Sequence, residues 1–352
     1  MIWNFLIPHI KEIQFKGIEV ECACSQTGFY FKEVEKMTGC ITHEIPFARN
    51  PCSTSNIRAI SMLNKLVKKN CYDAIFCHEP VGGALGRIVG HKNGCEVIYM
   101  AHGFHFYKGA PLSSKIYYVV EKFLSKYTDV LLTINQEDYE SSTKFKARKT
   151  QKVNGIGVNI DKFKKCCSDY LCKQYDLHEN DFLLLSVGEL ISRKNHKVIL
   201  QSLKMINDPH IHYFIAGEGE LEKTLKNIIY NYGLQNQVHL LGFCRNVSEL
   251  YNSCDAFIFP SKQEGLSMAL MEAMACGKPV IASNIRGNVD LIDNEQGGVL
   301  VKTNDLYGYI NAIKKLKADT MLRVSMGEYN EHKIMDFDIE TVKKQLEKYW
   351  IK

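Results

Sequence analysis

DAFIFPSKQEGLSMALMEAMACGKPVIAS, residues 255–283, decides the fold. DAFIFP is a short apolar run that ends at Pro260, and SKQEG is a polar loop closing on Gly265. LSMALMEAMA is built from strong helix formers. Gly277 with Lys278 and Pro279 behind it stops that helix, glycine as the cap and proline beyond it. KPVIAS is a second apolar run, so the segment is a βαβ unit, which requires parallel strands and a crossover. The helix opens at about Leu266, at the carboxyl end of a strand. Ligands of open α/β sheets bind there, and the amides and dipole of a helix N-terminus suit a phosphate.

The same rhythm extends in both directions. Downstream of a break it runs FLLLSVG (182–188), a helix from about Asn195, IHYFIAG (211–217), a helix from about Glu220, and QVHLLG (237–242). In the first half the apolar runs are IEVECAC (18–24), DAIFCH (73–78), EVIYMAH (96–102) and DVLLTIN (129–135). Helical stretches at 56–69, 80–92 and 113–126 lie among them. Strands alternating with such helices predict parallel sheets covered on both faces. Residues 154–180 interrupt the alternation and predict a connection between two domains. The expected division is 1–160, 161–335, and a closing helix within 336–352. The Asp-x-Asp triplet at 336–338 leads into that helix, where capping is its simplest role.

Composition excludes several classes. The 352 residues are 45% hydrophobic and 24% charged, with Gly and Pro at ordinary levels, which excludes disordered, collagenous and small disulfide-stapled chains. The opening MIWNFLIPHIKE has no basic stretch before its apolar run and no cleavage site after it, and no segment reaches the roughly 20 apolar residues of a spanning helix. Thirteen cysteines without a CxxC pair predict free thiols in a reducing cytosol. Residues 1–165 carry 23 Lys+Arg against 15 Asp+Glu, while residues 166–352 carry 21 against 24. Part of the basic excess is Lys144, Lys146, Arg148, Lys149 and Lys152. No nucleic-acid motif accompanies them. They read either as a solvated helix face or as a contact with an anionic membrane surface, at about 1 kcal/mol per cation.

Three constellations could carry chemistry. Glu264 and Glu272, eight residues apart, would lie about 12 Å apart on a continuous helix. That is too far for a glycosidase pair, which needs roughly 5–9.5 Å, so each is expected to grip hydroxyl groups on a different part of one elongated ligand. SVGELISRKNH (186–196) places Arg193 and Lys194 after a strand and a glycine, Gly188, where two cations either clamp a diphosphate or stand solvated. EVIYMAHGFHFYKGAP (96–111) sets His102 just past a strand, beside Gly103, as an active-site wall or a structural hydrogen-bonder. GEG (217–219) lacks the third glycine of a dinucleotide fingerprint, and no Walker A sequence exists. Nothing calls for a metal or a cofactor.

Together these segments resemble the family-4 retaining glycosyltransferases of the GT-B fold, an α/β architecture of two Rossmann-like doubly wound parallel-sheet domains facing a cleft. EGLSMALME matches the family's E-x7-E motif. HEPVGG (78–83), YMAHGFHFYKGAP (99–111), EKFLSKYTD (121–129), INQEDY (134–139), GIGV (155–158), SVGELISRKNH and RGNVDLI (286–292) are similar to hallmarks of bacterial capsule, exopolysaccharide and O-antigen enzymes. The resemblance implies an acceptor-side first domain and a second domain that binds a nucleotide sugar, with UDP as its nucleotide. Glu272 would then bind the ribose hydroxyls, and Glu264 those of the donor sugar. Lys194 and Arg193, with Gly188, Gly265, Leu266 and the amides near Ser267, would hold the diphosphate. His102 would reach the sugar from the first domain, and Gly242 and Phe243 would border the base. Chemistry would be metal-independent, with His102, Lys194 and Glu264 as its principal residues. A leaving phosphate oxygen would take the acceptor's proton as the oxocarbenium forms.

The implied partners are a nucleotide-sugar donor, a lipid-linked saccharide acceptor and the cytoplasmic membrane surface, with no nucleic acid. The implied location is the cytoplasmic, inner face of the membrane. Glu189 stands where many family members carry arginine, so the positive charge falls to Lys194 and Arg193. The family's first strand and loop precede the helix that this chain enters at about Phe5–Pro8, so the first strand of the first domain is expected to be absent. Two further function classes stay open: a sugar-nucleotide epimerase of the same fold, and a shortened, non-catalytic nucleotide- or partner-binding relative.

Overall fold

A computed structural model describes residues 2–25 and 31–350. The chain separates into two units, residues 1–157 with 340–352, and residues 158–339.

The second unit is one six-stranded, wholly parallel sheet. Its strands are β7 (Phe182–Val187), β8 (Ile211–Ala216), β9 (Val238–Gly242), β10 (Ala256–Phe259), β11 (Val280–Ser283) and β12 (Gly298–Val301), in spatial order β12-β11-β10-β7-β8-β9. Side chains alternate between the two faces, as the two-residue period of a strand dictates. Leu183, Leu185, Phe214, Phe257 and Phe259 enter one core, with Leu270, Met271 and Met274 of the Met268–Ala275 helix. Phe182, Leu184, Tyr213, Ile215 and Ile258 enter the other, with Val198, Ile199 and Leu203 of the His196–Ile206 helix. Burial on both faces is why these strands read as unbroken apolar runs.

The first unit holds a four-stranded parallel sheet in sequential order, β3 (Ala74–His78), β4 (Glu96–Ala101), β5 (Val130–Thr133) and β6 (Lys149–Lys152). A separate parallel pair is formed by β1 (Cys22–Cys24) and β2 (Thr42–Glu44). Among the described residues no strand precedes β1. The chain enters through a π-helical turn, Ile2–Leu6, and the Ile7–Phe15 helix. His9 on that helix donates from Nε2 to the Ile156 carbonyl at 2.7 Å, which gives the GIGV segment a holding role. The Ile339–Glu347 helix closes on the same unit through Lys16 Nζ to Glu347 Oε1 at 2.6 Å and the Asn154 amide to Gln345 Oε1 at 3.1 Å.

The Pro80–Lys92 helix packs closely on β3 and β4. A Cβ on Gly83 would lie 2.5 Å from the Tyr99 ring, and one on Gly86 would lie 2.4 Å from Cys77 Sγ. Arg87 of that helix is buried, stacks 4.0 Å over Tyr99, and forms a forked pair with Glu121 at 2.7 and 3.2 Å.

One expectation is corrected. The basic stretch 144–152 is not a helix face: residues 143–148 are turn and loop, and Lys149–Lys152 is the edge strand β6. Phe145 packs among Phe104, Phe106 and Tyr118, so the loop has an apolar anchor that its charges concealed.

Candidate functional site

The order of the second sheet locates the site. The chain runs outward from β7 through β8 to β9, then returns to the other side of β7 for β10, β11 and β12. The switch point lies between β7 and β10, and open α/β sheets bind their ligands at the carboxyl ends of the strands at such a point. The loop after β7 is 188–195 and the loop after β10 is 260–267, the two segments that carry the predicted residues.

These loops are tied to each other. The Lys262 amide donates to the Arg193 carbonyl at 2.8 Å, and Arg193 donates to the Gln263 carbonyl at 2.8 Å. Asn195 Nδ2 donates to the Pro260 carbonyl at 3.1 Å. Across this seam Lys194 Nζ and Arg193 meet one oxygen of Glu264, at 2.9 and 2.8 Å. Lys194 is buried, with its ammonium 4.5 Å above the Phe259 ring, while Arg193 keeps about a third of its side chain in water. Two cations on one carboxylate leave a net positive charge, ready for an anionic ligand.

Gly188 makes room for Lys194. With φ at +152°, it would place a Cβ 3.0 Å from the lysine Cε. Behind it, a Cβ on Gly217 would lie 2.0 Å from the Gly188 carbonyl oxygen, and the Gly217 amide donates to the Gly242 carbonyl at 2.8 Å. The GEG segment therefore serves close backbone approach between the ends of β7, β8 and β9. Phe243, next in the chain, is 69% exposed.

The helix after β10 begins at Met268, slightly later than the sequence pattern places it, with Ser267 as N-cap accepting from the Leu270 amide. The remaining first-turn amides have no partner within the helix. Glu272 lies in its second turn, where Tyr251 Oη donates to it at 3.0 Å. Burial pushes the Glu272 carboxyl up to about 7 against the tyrosine's opposing pull. Glu264 and Glu272 thus occupy different environments, one paired with cations and one half-protonated near neutrality. Arg286 Nε donates to the Glu264 carbonyl at 3.1 Å, and Gly287 lies against the Gly265 carbonyl, so RGNVDLI braces the loop that carries Glu264.

In the first unit, His102 follows β4 and His78 ends β3, with His78 Nδ1 and His102 Nε2 2.9 Å apart and the rings stacked at 5.2 Å. Burial holds His102 down to about 4; burial and then the neighbouring His102 hold His78 well below its ordinary value. The pair is neutral at pH 7, so one nitrogen donates to the other and neither supplies charge. His78 escaped sequence reasoning, as did Asn195 and Arg286. The available signal for His78 was its place at the end of DAIFCH, since parallel β3 and β4 finish side by side with His78 opposite Met100.

Comparison with known proteins follows the same division. Residues 171–333 match the profile of the glycosyl transferases group 1, and residues 2–135 that of the glycosyl transferase 4-like family. EpsD of Bacillus subtilis, which bears a glycosyltransferase name, is 33% identical over 98% of this chain and 92% of its own. A UDP-Gal:alpha-D-GlcNAc-diphosphoundecaprenol alpha-1,3-galactosyltransferase of Escherichia coli is 32% identical over 82% of this chain and 77% of its own. The crystal structure of Anabaena HepE with UDP-glucose has a TM-score of 0.82 at 19% identity, over 98% of this chain and 94% of its own, a likeness of fold. With a third of its residues identical to a relative that it covers almost end to end, the chain belongs to the glycosyl transferases of group 1 and has the GT-B fold.

Proposed function

We propose that the chain is a retaining glycosyltransferase that moves a sugar from a UDP-sugar to a lipid-linked saccharide in capsular, exopolysaccharide or O-antigen assembly, working at the inner face of the cytoplasmic membrane. The observation that carries this reading is the meeting of Lys194, Arg193 and Glu264 at the switch point of the second sheet. Two relatives act, by name, on diphospho-undecaprenol-linked substrates, which supports the acceptor class.

On this reading the donor diphosphate takes over the two cations, and Glu264 turns to the sugar hydroxyls it frees itself to accept from. The first-turn amides of the Met268–Ala275 helix complete the anion seat. Glu272 receives the ribose hydroxyls, Phe243 flanks the base, and His102 offers a neutral N–H to the sugar. The glycosidic bond to the diphosphate breaks, a leaving phosphate oxygen takes the acceptor hydroxyl's proton, and the acceptor oxygen bonds to the same face of the anomeric carbon. Protein cations neutralise the leaving group, so the reading is metal-independent. Pre-aimed charge of this kind is worth roughly 10²–10³-fold per donor removed.

The test is UDP release by the purified chain supplied with UDP-sugars and saccharide-diphosphate lipids. Lys194→Ala and Glu264→Ala are expected to lower release by at least about 10²-fold. Unchanged release in both defeats the residue roles. A donor isomerised without acceptor points to an epimerase, and UDP bound without turnover points to a binding protein.

A further inference from the structure

The Lys115–Leu124 helix of the first unit is amphipathic in the wrong sense for a water-facing surface. Leu112, Ile116, Val119, Val120 and Phe123 fall at the spacing of one helical face, and they are 78, 60, 60, 43 and 55% exposed. The inward face carries Leu124 and the polar Glu121, which is held by Arg87. A contiguous apolar stripe of this kind marks an interaction surface.

Its surroundings state the partner's chemistry. Lys115, Lys122 and Lys126 flank the stripe on the helix and the turn that follows it, and all three are exposed. The loop with Lys144, Lys146 and Arg148 packs alongside: Phe145 meets Tyr118 at 5.4 Å, and the Lys146 amide donates to Ser125 Oγ at 2.8 Å. Lys126 Nζ sits 3.8 Å over the Phe123 ring and 4.8 Å over Tyr127, a cation carried on aromatic shoulders. A second copy of the chain in a two-fold contact would set these six cations against six more, which opposes self-association. An anionic bilayer accepts both parts, apolar side chains below and lysines at the headgroups. At ten residues the helix is about 15 Å long, too short to span a membrane and suited to lie on it.

We infer that the Lys115–Leu124 helix, with the 144–148 loop beside it, is an interfacial element that inserts its outward stripe into an anionic lipid surface. The inference rests on the proposed function only in placing the acceptor in a membrane. Residues 103–111 join His102 directly to this element, and His105 rests on Tyr117 with ring centroids 5.0 Å apart.

The full chain is sedimented with vesicles of about one part phosphatidylglycerol to two parts phosphatidylcholine, and with phosphatidylcholine alone. Pelleting is expected with the anionic vesicles only. Affinity should fall roughly fivefold for each cation removed in the series Lys122→Gln, Lys126→Gln, Lys146→Gln. The triple replacement Ile116→Ser, Val119→Ser, Phe123→Ser should abolish pelleting. In the separate variant Val119→Trp, tryptophan emission should shift to the blue when anionic vesicles are added. Equal pelleting of wild type and the triple-serine variant, or unmoved emission in V119W, overturns the inference. So does a concentration-dependent dimer that the serines abolish without any vesicle binding, which assigns the stripe to a second copy. UDP release on a water-soluble acceptor analogue is read alongside, so vesicle binding with no release sinks the proposed function and leaves this inference standing.

Discussion

Glu272→Gln tests the half-buried carboxyl in the second turn of the Met268–Ala275 helix. In the folded chain burial raises this carboxyl from 4.5 to about 7, a preference for the protonated form of ~3 kcal/mol. Because the folded value is raised, the stabilisation is fully present below pH 4.5 and is lost as pH climbs through 7. Glutamine imitates the protonated acid at every pH and still accepts from Tyr251. The two proteins should therefore match near pH 4.5, and the variant should be the more stable at pH 8 by roughly 3 kcal/mol. Both tryptophans, Trp3 and Trp350, lie outside residues 158–339, so fluorescence would watch the wrong unit. Hydrogen exchange of the β10 and β11 amides watches the right one. A gap of ~3 kcal/mol is roughly 150-fold in the opening equilibrium, compared between proteins at equal pH. A variant-to-wild-type ratio that stays constant from pH 4.5 to 8 refutes the reasoning. Since ribose hydroxyls would donate to the ionised form, nucleotide affinity should rise with pH through 7 in the wild type and flatten in the variant.

Gly217→Ala drives a methyl into the Gly188 carbonyl and should destabilise by more than the ~1 kcal/mol expected of Gly233→Ala, where the left-handed backbone opens on empty space; urea unfolding of the two variants side by side checks this. Glu121→Gln leaves the Arg87 guanidinium buried and half-paired, at about 3 kcal/mol; replacing both partners by apolar residues should restore most of the loss, as read by calorimetry. His78→Phe should lower kcat while leaving UDP affinity near wild type, and titration calorimetry finding both reduced would reassign His78 to donor binding.

Much of this architecture was legible in the chain because the central strands of both larger sheets are buried on both faces. FLLLSV, IHYFIA and AFIF announce themselves as apolar runs, and β7, β8 and β10 follow them closely. KTQK and THE do not: they are the edge strands β6 and β2, whose pairing is set by a neighbour and whose side chains meet water. IEVECAC promised seven residues of strand and delivers three, paired among the described residues with β2 alone. Within the site, Lys194 and Glu264 were visible because each follows a strand and a glycine-bearing or polar loop. Asn195 and Arg286 were not, because they donate to backbone carbonyls of a segment distant in sequence, and Gly287 was not, because it packs against one; backbone carries no letter. The Lys115–Leu124 stripe was readable as a helix from its period, but only its surroundings reveal which way the apolar side looks.

That direction is set by a single ion pair. Glu121 projects from the inner side of the helix into the forked grip of Arg87, itself clamped between Tyr99 and the Gly83 carbonyl. A rod riveted at mid-length cannot roll its oily flank out of sight when no lipid is near. If the stripe meets lipid as inferred above, its residence on a vesicle would be governed by headgroup charge and salt, with no rotation of this helix required first. The same rivet keeps the stripe facing water in the free protein, and a single swap at position 121 should loosen that hold.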